Sequence, residues 1–413
     1  MAPPESACLV CGSGDPLPFL DLPRVPVYCN VLLPTAAAAR KVARGDLKLA
    51  ICRKCGHVFN TAFDPGVVDY TDRYENSLHF SPLFREYAES LARELVERHG
   101  LRGRRIVEIA SGQGDFLRLL CRLGGNEGVG YDPSYRDSGA RDLLPAEEDN
   151  RAGEGDGTVR FVKAYYGAGN ENVTADFLCC RQALEHIPDP MGFLIGLRDT
   201  LGSMVSPGTP AHRTTVFFEV PNSLYSLRDK GVWDFIYEHV SYFCGRSLQE
   251  CFTRAGFTIQ RTWESFGGQF LCLEAELPTP RDIVDDFTEV PPPEQLLEFA
   301  AGLGETVRNL VDHWRERLDH LHREGQRAAI WGAGSKGITF LNLLSPEDKI
   351  GYVVDINPEK RGMFTAGTGH RVISPDEIAN APPDLMVCMN PQYREEIRGM
   401  LGDRGLKIPV VAV

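Results

Sequence analysis

The sequence predicts an α/β protein in three parts: a small N-terminal cysteine module, a Rossmann-like core and a second, smaller Rossmann-like α/β domain at the C-terminus. Three observations carry that expectation. Two Cys-x-x-Cys-Gly knuckles open the chain, Cys8-x-x-Cys11-Gly12 and Cys52-x-x-Cys55-Gly56. A short apolar strand, Ile106-Val107-Glu108-Ile109, runs into a loop with glycines two apart and then into a helical apolar pattern, and the strand–helix rhythm continues after it. A second strand, glycine loop and helix follow at residues 328–337. The 413 residues exceed what one hydrophobic core usually organises, so parts spanning 1–70, 71–280 and 281–413 are expected.

Composition excludes several classes. A formal net charge of -13 opposes broad binding to nucleic acid or to an anionic membrane, because both need a positive field. The first residues, Met1 to Ser6, have neither a basic start nor an apolar stretch, and no later run approaches the ~20 apolar residues of a membrane span. A cytoplasmic location, with neither nucleic acid nor membrane as partner, is therefore expected. Twelve cysteines are too sparse for a disulfide scaffold in a chain this long, and a reducing compartment keeps them as thiols unless metal holds them.

The knuckles supply such a metal site. Four thiolates from Cys8, Cys11, Cys52 and Cys55 suit tetrahedral zinc, and the glycine after each pair eases the turn that aims both sulfurs at one ion. Four sulfurs leave no open position, so the zinc is structural. A Cys-x-x-Cys redox pair explains less, since it needs only one copy and a thioredoxin-like helix. Cys29 and His57 read as bystanders. Residues 64–82 lead out through Tyr70, Tyr74, Ser77, His79 and Ser81. Pro82 after Ser81 marks a helix start, with Leu83, Phe84, Tyr87, Leu91 and Leu95 on one face and Gly100 at the end.

The core is organised around Glu108-x-Ala110-x-Gly112-Gln113-Gly114. Gly112 and Gly114 lack the Cβ atoms that would keep a ligand off the backbone, and the helix behind them offers unpaired N–H groups. About 20 residues on, a second strand ends in Asp132, where an α/β nucleotide site grips a ribose hydroxyl. The spacing is not G-x-G-x-x-G, which disfavours a pyrophosphate cradle. Residues 145–157 are polar and acidic and are expected to be an exposed insertion. The strand Ala175–Cys180 then delivers Arg181, Gln182 and His186 to the ligand rim. The strand Thr215–Val220 leaves Asn222 there, with the alternative that His186 only caps or packs its loop.

The densest polar and aromatic cluster is Trp233–Phe243. Glu238 beside His239 does not suit a core strand, because one of the two would be buried unpaired, so a rim loop carrying Tyr237, Glu238 and His239 is expected. The other possibility is a histidine bonded inside an aromatic corner. Ser247-x-x-Glu250 reads as a capping box opening the next helix. Gly267–Glu274 reads as a closing hairpin strand, and residues 276–295 as a proline-rich linker. One long amphipathic helix follows, striped by Leu296, Leu297, Ala300, Leu303, Val307, Leu310, Val311, Trp314, Leu318 and Leu321, and expected to pack on its own protein. Gly332-x-Gly334-x-Lys336-Gly337 is a true G-x-G-x-x-G, with Asp355 at the end of the next strand.

The segment from Glu108 to Gly114 resembles motif I of the class I methyltransferases, whose cofactor is S-adenosylmethionine. Knuckles first, motif I next, a Glu-His-x-x-Tyr-Phe loop after the core and G-x-G-x-x-G last, the whole chain resembles the three-domain sugar C-methyltransferases that act on dTDP-linked 4-keto-deoxysugars. The resemblance implies S-adenosylmethionine on Glu108, Ala110, Gly112, Gln113, Gly114, Asp132, Arg181 and Gln182. It implies structural zinc, and a nucleotide sugar held by Asn222, Gly332, Gly334, Lys336 and Gly337. His239 falls at the position of the family's base, with Glu238 beside it, Tyr74 as a sugar contact and His186 as a second imidazole. Two departures concern the acceptor: one imidazole of a Tyr-His-Glu-His stretch is replaced by Tyr237, and no arginine follows Gly267-Gly268-Gln269-Phe270-Leu271.

The function expected is methyl transfer to carbon, which needs a base for a C–H next to a carbonyl, donors for the enolate oxygen and an in-line methyl. His239 suits the first; Tyr237, Tyr242 or His186 could serve the second. Transfer to carbon, oxygen or nitrogen of a non-sugar metabolite is an alternative. A nicotinamide-dependent oxidoreductase built on the C-terminal glycine loop is a rival of another class, as is a zinc-containing nucleic-acid modifier, which the acidic balance disfavours.

Overall fold

The computed structural model describes residues 7–68, 76–136, 157–167, 174–203, 214–277, 286–287, 290–344 and 349–413. Tyr70, Tyr74 and nearly all of the acidic 145–157 stretch lie outside the described residues. Strands are numbered in chain order. Pro16–Pro26 (β1), Arg44–Cys52 (β2) and Val58–Asn60 (β3) form an antiparallel sheet whose fourth strand, Ser241–Tyr242 (β9), arrives from beyond the core, in the order β1-β2-β3-β9. The rim loop with Glu238 and His239 is thereby bound to the cysteine module.

The central sheet contains Arg105–Ile109 (β4), Glu127–Tyr131 (β5), Thr158–Val162 (β6), Phe177–Arg181 (β7), Thr215–Pro221 (β8), Thr258–Ser265 (β10), Phe270–Glu276 (β11) and the edge strand Asp286–Phe287 (β12). Its order is β12-β10-β11-β8-β7-β4-β5-β6, with β4 to β8 parallel and the β10–β11 hairpin antiparallel to β8. Strands β4, β7 and β8 are buried along almost their whole length, which is why each is mainly apolar, with the buried acids Glu108 in β4 and Glu219 in β8 as the exceptions. The strand order reverses between β4 and β7, so a crevice opens beyond their carboxyl ends.

Helix Pro82–Arg98 starts as expected, with the Ser81 hydroxyl accepting the Phe84 N–H and Pro82 in the first turn. The capping box lies elsewhere than expected. Helix Gly245–Ala255 begins before Ser247, which sits at its third position and accepts the Cys244 N–H at 3.0 Å. The single long helix is also divided. Pro293–Ala301 and Leu303–Arg323 meet at Gly302, a poor helix residue, and the first begins inside the stretch read as linker. Both pack on their own protein: Leu296, Ala300, Leu303, Val307, Val311, Trp314 and Leu318 are buried in one cluster with Leu47 and Leu49 of β2.

The C-terminal sheet is wholly parallel, in the order β15-β14-β13-β16-β17, from Ala328–Trp331 (β13), Ile350–Val354 (β14), Val372–Ile373 (β15), Leu385–Cys388 (β16) and Val410–Ala412 (β17). The glycine loop joins β13 to helix Ser335–Leu344, and a Cβ on Gly337 would overlap the Gly332 carbonyl oxygen. The apolar cluster under β1 and β2 continues through Trp233 and Phe235 into Phe340 and Ile330, so the first and last parts share one core. Among the described residues, no helix is long and apolar enough to cross a membrane.

Candidate active site

A cleft of about 730 Å³ opens at the carboxyl ends of the central strands and is lined from all three parts of the chain. Its floor is the motif I loop. Ala110, Gly112 and Gly114 all take positive φ (55°, 55° and 85°), and a Cβ on Gly112 would meet nothing within 4 Å, so open space faces its backbone. Gly114 does a different job: it stands at the N-terminus of helix Asp115–Gly124, and a Cβ there would overlap the Phe161 ring. Asp132 ties the loop in place, accepting the Gly112 N–H at 2.8 Å on one oxygen and the Ser134 N–H at 2.7 Å on the other. Gln113 accepts the Arg136 N–H at 3.2 Å. Glu108 is buried on the same wall, and burial pushes its carboxyl up to about 8.

At the end of β7, Arg181 and Gln182 both turn onto Glu219 of β8. The Arg181 guanidinium meets the Glu219 carboxylate at 2.9 Å and covers the Phe116 ring at 4.0 Å. Gln182 donates to the same carboxylate oxygen at 3.0 Å, and the Tyr87 hydroxyl donates to the other. All except Glu219 line the cleft or, in Tyr87, stand behind its aromatic wall. Glu219 is the hub that local sequence reading did not single out; an acid inside an otherwise apolar buried strand was its only mark.

The rim loop differs from expectation in two of its three predicted residues. Tyr237 is buried, its hydroxyl accepts the Asp64 N–H at 2.9 Å, and its ring stacks on Phe63 at 5.5 Å. Glu238 turns away from His239 into the cysteine module, where its carboxylate accepts the Cys29 N–H at 2.8 Å. Neither lines the cleft. Contacts with residues 29 and 64 decide this, and those are remote in sequence. His239 does line the cleft. Its ring meets His186 edge to face at 4.7 Å, and its Nδ1 is buried without a hydrogen-bond partner. Burial first, then the nearby His186 and Lys336, hold its proton affinity well below that of ordinary imidazole. His186 Nδ1 lies 3.0 Å from the Glu238 carbonyl oxygen, so the Nδ1–H donates and Nε2 carries the lone pair. Burial holds its pKa down at about 4. Tyr242 lines the cleft, but its hydroxyl bonds both the N–H and the carbonyl of Ile236. Glu185, to which the sequence reading gave no role, is buried beside His186 with one oxygen unpartnered. A short 3-10 turn, with no periodicity to read, places it there.

Of the predicted acceptor contacts, Gly334 and Lys336 reach the cleft, and Lys336 pairs with Asp234. Gly332 and Gly337 do not, since they face each other inside the turn. Asn222 lines the cleft, yet its side chain accepts the Leu224 N–H at 3.1 Å and donates to the Gly268 carbonyl at 3.0 Å, capping one helix and holding the hairpin turn. Across the mouth, Gln269 of the core and Asn390 of the C-terminal part exchange two amide hydrogen bonds of 2.9 Å each.

The four knuckle cysteines converge. Cys8 and Cys55 sulfurs lie 3.6 Å apart and Cys11 and Cys52 sulfurs 3.5 Å, close to the ~3.8 Å edge of a tetrahedron with ~2.3 Å zinc–sulfur bonds. The two knuckles repeat one geometry: Gly12 and Gly56 share φ 71° and donate at 2.9 Å to Cys8 and Cys52 carbonyls. His57 stays outside, bonding Ser241 at 3.2 Å.

Comparison with known proteins agrees with this geometry. Residues 8–65 match a zinc binding domain, residues 82–262 a methyltransferase domain and residues 294–404 a C-methyltransferase C-terminal domain. No curated protein matches the chain. Solved structures that align include magnesium protoporphyrin IX methyltransferase from Synechocystis with bound SAM, at 15% identity, 48% of this chain, 80% of that chain and TM-score 0.32. N-methyltransferase NodS from Bradyrhizobium japonicum aligns at 14% identity, 48% of this chain, 98% of that chain and TM-score 0.31. A Burkholderia thailandensis 1,6-didemethyltoxoflavin-N1-methyltransferase aligns at 16%, 54%, 96% and 0.33. At such scores these three carry no argument.

The motif I loop, its acid at Asp132 and the matched central domain define an S-adenosylmethionine-dependent methyltransferase. With the zinc module before that domain and the C-methyltransferase domain after it, the chain matches in order the three domains of the zinc-containing C-methyltransferases. S-adenosylmethionine and a structural zinc are its cofactors, and the loop with open space over Gly112 and the cysteine tetrad are the features that fit them.

Proposed function

We propose that this enzyme methylates carbon next to the keto group of a nucleotide-linked, dTDP-type 4-keto-deoxysugar in the cytoplasm, with His239 as the base. The observation that supports this best is His239 itself: a neutral imidazole, with a buried unpartnered nitrogen, on the same cleft as the motif I loop. A neutral imidazole takes the proton from the carbon, and the charge moves to the carbonyl oxygen as an enolate. With Tyr237 and Tyr242 engaged by backbone and the His186 Nε2 carrying a lone pair, the neutral acid of Glu185 is the donor among these residues that can face that oxygen. Bound S-adenosylmethionine supplies the electrophilic methyl. Gly112, Gln113 and Asp132 hold it, with Glu108 and the Arg181, Gln182 and Glu219 set behind them. At the other end, Gly334 and Lys336 at the N-terminus of helix Ser335–Leu344 receive the diphosphate, which competes with Asp234 for the Lys336 ammonium. Asp355, the ribose ligand an oxidoreductase would need, does not line the cleft and pairs with Lys360 at 3.4 Å.

Incubation with labelled S-adenosylmethionine and a panel of dTDP-4-keto sugars, followed by mass spectrometry and NMR, tests this. A new C–CH3 group on one sugar is expected. Methylation only of oxygen or nitrogen, or of non-sugar ketones alone, overturns it.

A further inference from the structure

Glu185, His186 and His239 bring two imidazoles and one carboxylate together inside the cleft, with their donor atoms within 4.8 Å of one another. His186 Nε2 and Glu185 Oε1 are 4.0 Å apart. Around one ion at about 2.1 Å, ligand atoms stand about 3–4 Å apart, so a shift of less than about 1 Å closes the set. Two histidines and one carboxylate leave positions open to solvent or substrate, and the nitrogen and oxygen donors suit zinc, cobalt or nickel better than magnesium or calcium.

Three further features point to a ligand. The Glu238 carbonyl holds His186 by Nδ1–H, which turns the Nε2 lone pair inward; this is the outer-shell bond that metal-binding histidines commonly make. Glu185 Oε2 and His239 Nδ1 are both buried without hydrogen-bond partners. The two loops are also fastened together, because the Val240 N–H donates to the Glu185 carbonyl at 2.9 Å. Among the described residues, the ion-pair partner of Glu185 is His186, itself a neutral imidazole, so the carboxyl has no fixed cation to offset its burial. A divalent ion held by the cluster supplies that charge. Lys336, whose charge reaches His239, is held by Asp234 and does not face the site with its charge uncompensated.

We propose that Glu185, His186 and His239 form a second metal site, one for a divalent transition ion, and that its occupation excludes base catalysis. The second half rests on His239 being the base: a coordinated imidazole nitrogen has no lone pair for a proton. The first half stands on the ligand geometry alone.

The test uses the full chain with its cysteine site filled by zinc, titrated with Co2+ and followed by visible absorption and metal content. Thiolate charge-transfer bands would reveal exchange into the cysteine site, which nitrogen and oxygen ligation does not produce. One cobalt per chain beyond the zinc is expected, with affinity weakened more than about 10-fold in Glu185→Gln and in His186→Asn. An unchanged zinc content and melting temperature show that each variant is folded. Absence of cobalt binding to the wild type, or equal binding by both variants, overturns the site. Bound cobalt should also abolish methyl transfer, reversibly on dilution. Cobalt that binds, is lost in the variants and leaves methyl transfer untouched overturns the exclusion and the base assignment together, while the metal site stands.

Discussion

A single imidazole carries the chemistry proposed for this cleft. His239→Asn keeps roughly the shape and one hydrogen-bonding edge but cannot take a proton. Its kcat should fall at least about 10²-fold while affinity for S-adenosylhomocysteine stays unchanged. An acceptor deuterated at the reacting carbon should lose its label to solvent more slowly with the variant; equal washout would make His239 a packing residue. Because burial holds the His239 proton affinity well below the usual 6.5, the base stays competent as pH falls through 6.5, and the acid limb of kcat/KM should lie below that value. Gly112→Val tests the other end of the reaction. At φ 55° valine is strained, and its branches enter the open space over the loop, so calorimetry should show S-adenosylhomocysteine binding lost. Unchanged affinity would move the cofactor off this loop.

Two elements answer to their glycines and cysteines. In the turn between β13 and helix Ser335–Leu344, Gly337→Ala sets a methyl against the Gly332 carbonyl, an overpacking that should cost about 1–3 kcal/mol and lower the melting temperature. A melting temperature equal to wild type would show that the turn relaxes freely. The cysteine module depends on its ion. Cys52→Ser should release zinc, which metal analysis reads directly, and loosen β1 to β3. The same strands share a core with the C-terminal sheet and pair with β9, so the loss should spread to the rim loop with His239. The knuckle cysteines also pack in one buried cluster with Val107 and Ile109 of β4, yet calorimetry with S-adenosylhomocysteine should still find the motif I loop competent, since Asp132 of the same sheet holds its Gly112 N–H.

For the whole molecule, buried ionisable groups predict a pH optimum of stability. Burial depresses His79 to about 3 and His370 to about 4, from 6.5. Their contribution is full above 6.5 and is lost as pH falls toward the folded values. Burial raises Glu108 from 4.5 to about 8, and its contribution is full below 4.5 and is lost as pH rises through 8. The opposing trends overlap between 4.5 and 6.5, so melting temperatures should fall on both sides of that window. A stability that keeps rising from pH 6.5 to 8 would contradict the burial of Glu108. The cleft is also a property of the whole. Lys336→Ala removes a charge from the C-terminal wall and should raise KM for the nucleotide-linked acceptor more than it lowers kcat, because a diphosphate contact is the same in ground and transition states.

The metal module, the motif I loop with Asp132, the alternation of strands and helices in the core and the G-x-G-x-x-G turn were legible in the sequence, because each depends on residues close together in the chain. Cys-x-x-Cys spacing sets a turn, paired glycines permit positive φ, and a buried parallel strand is predominantly apolar. The tertiary structure alone decided what the rim side chains face. Tyr237 and Glu238 stand beside His239 in sequence, yet Asp64 and Cys29 of the first module hold them away from it. Asn222 was drawn into capping, and Glu219 became the anchor of Arg181 and Gln182. Glu185 entered the cleft on a turn too short to show a period. A loop has no repeating pattern that assigns its faces, so the direction of each side chain is settled by whichever distant backbone donor or acceptor lies within hydrogen-bond reach once the sheets have packed.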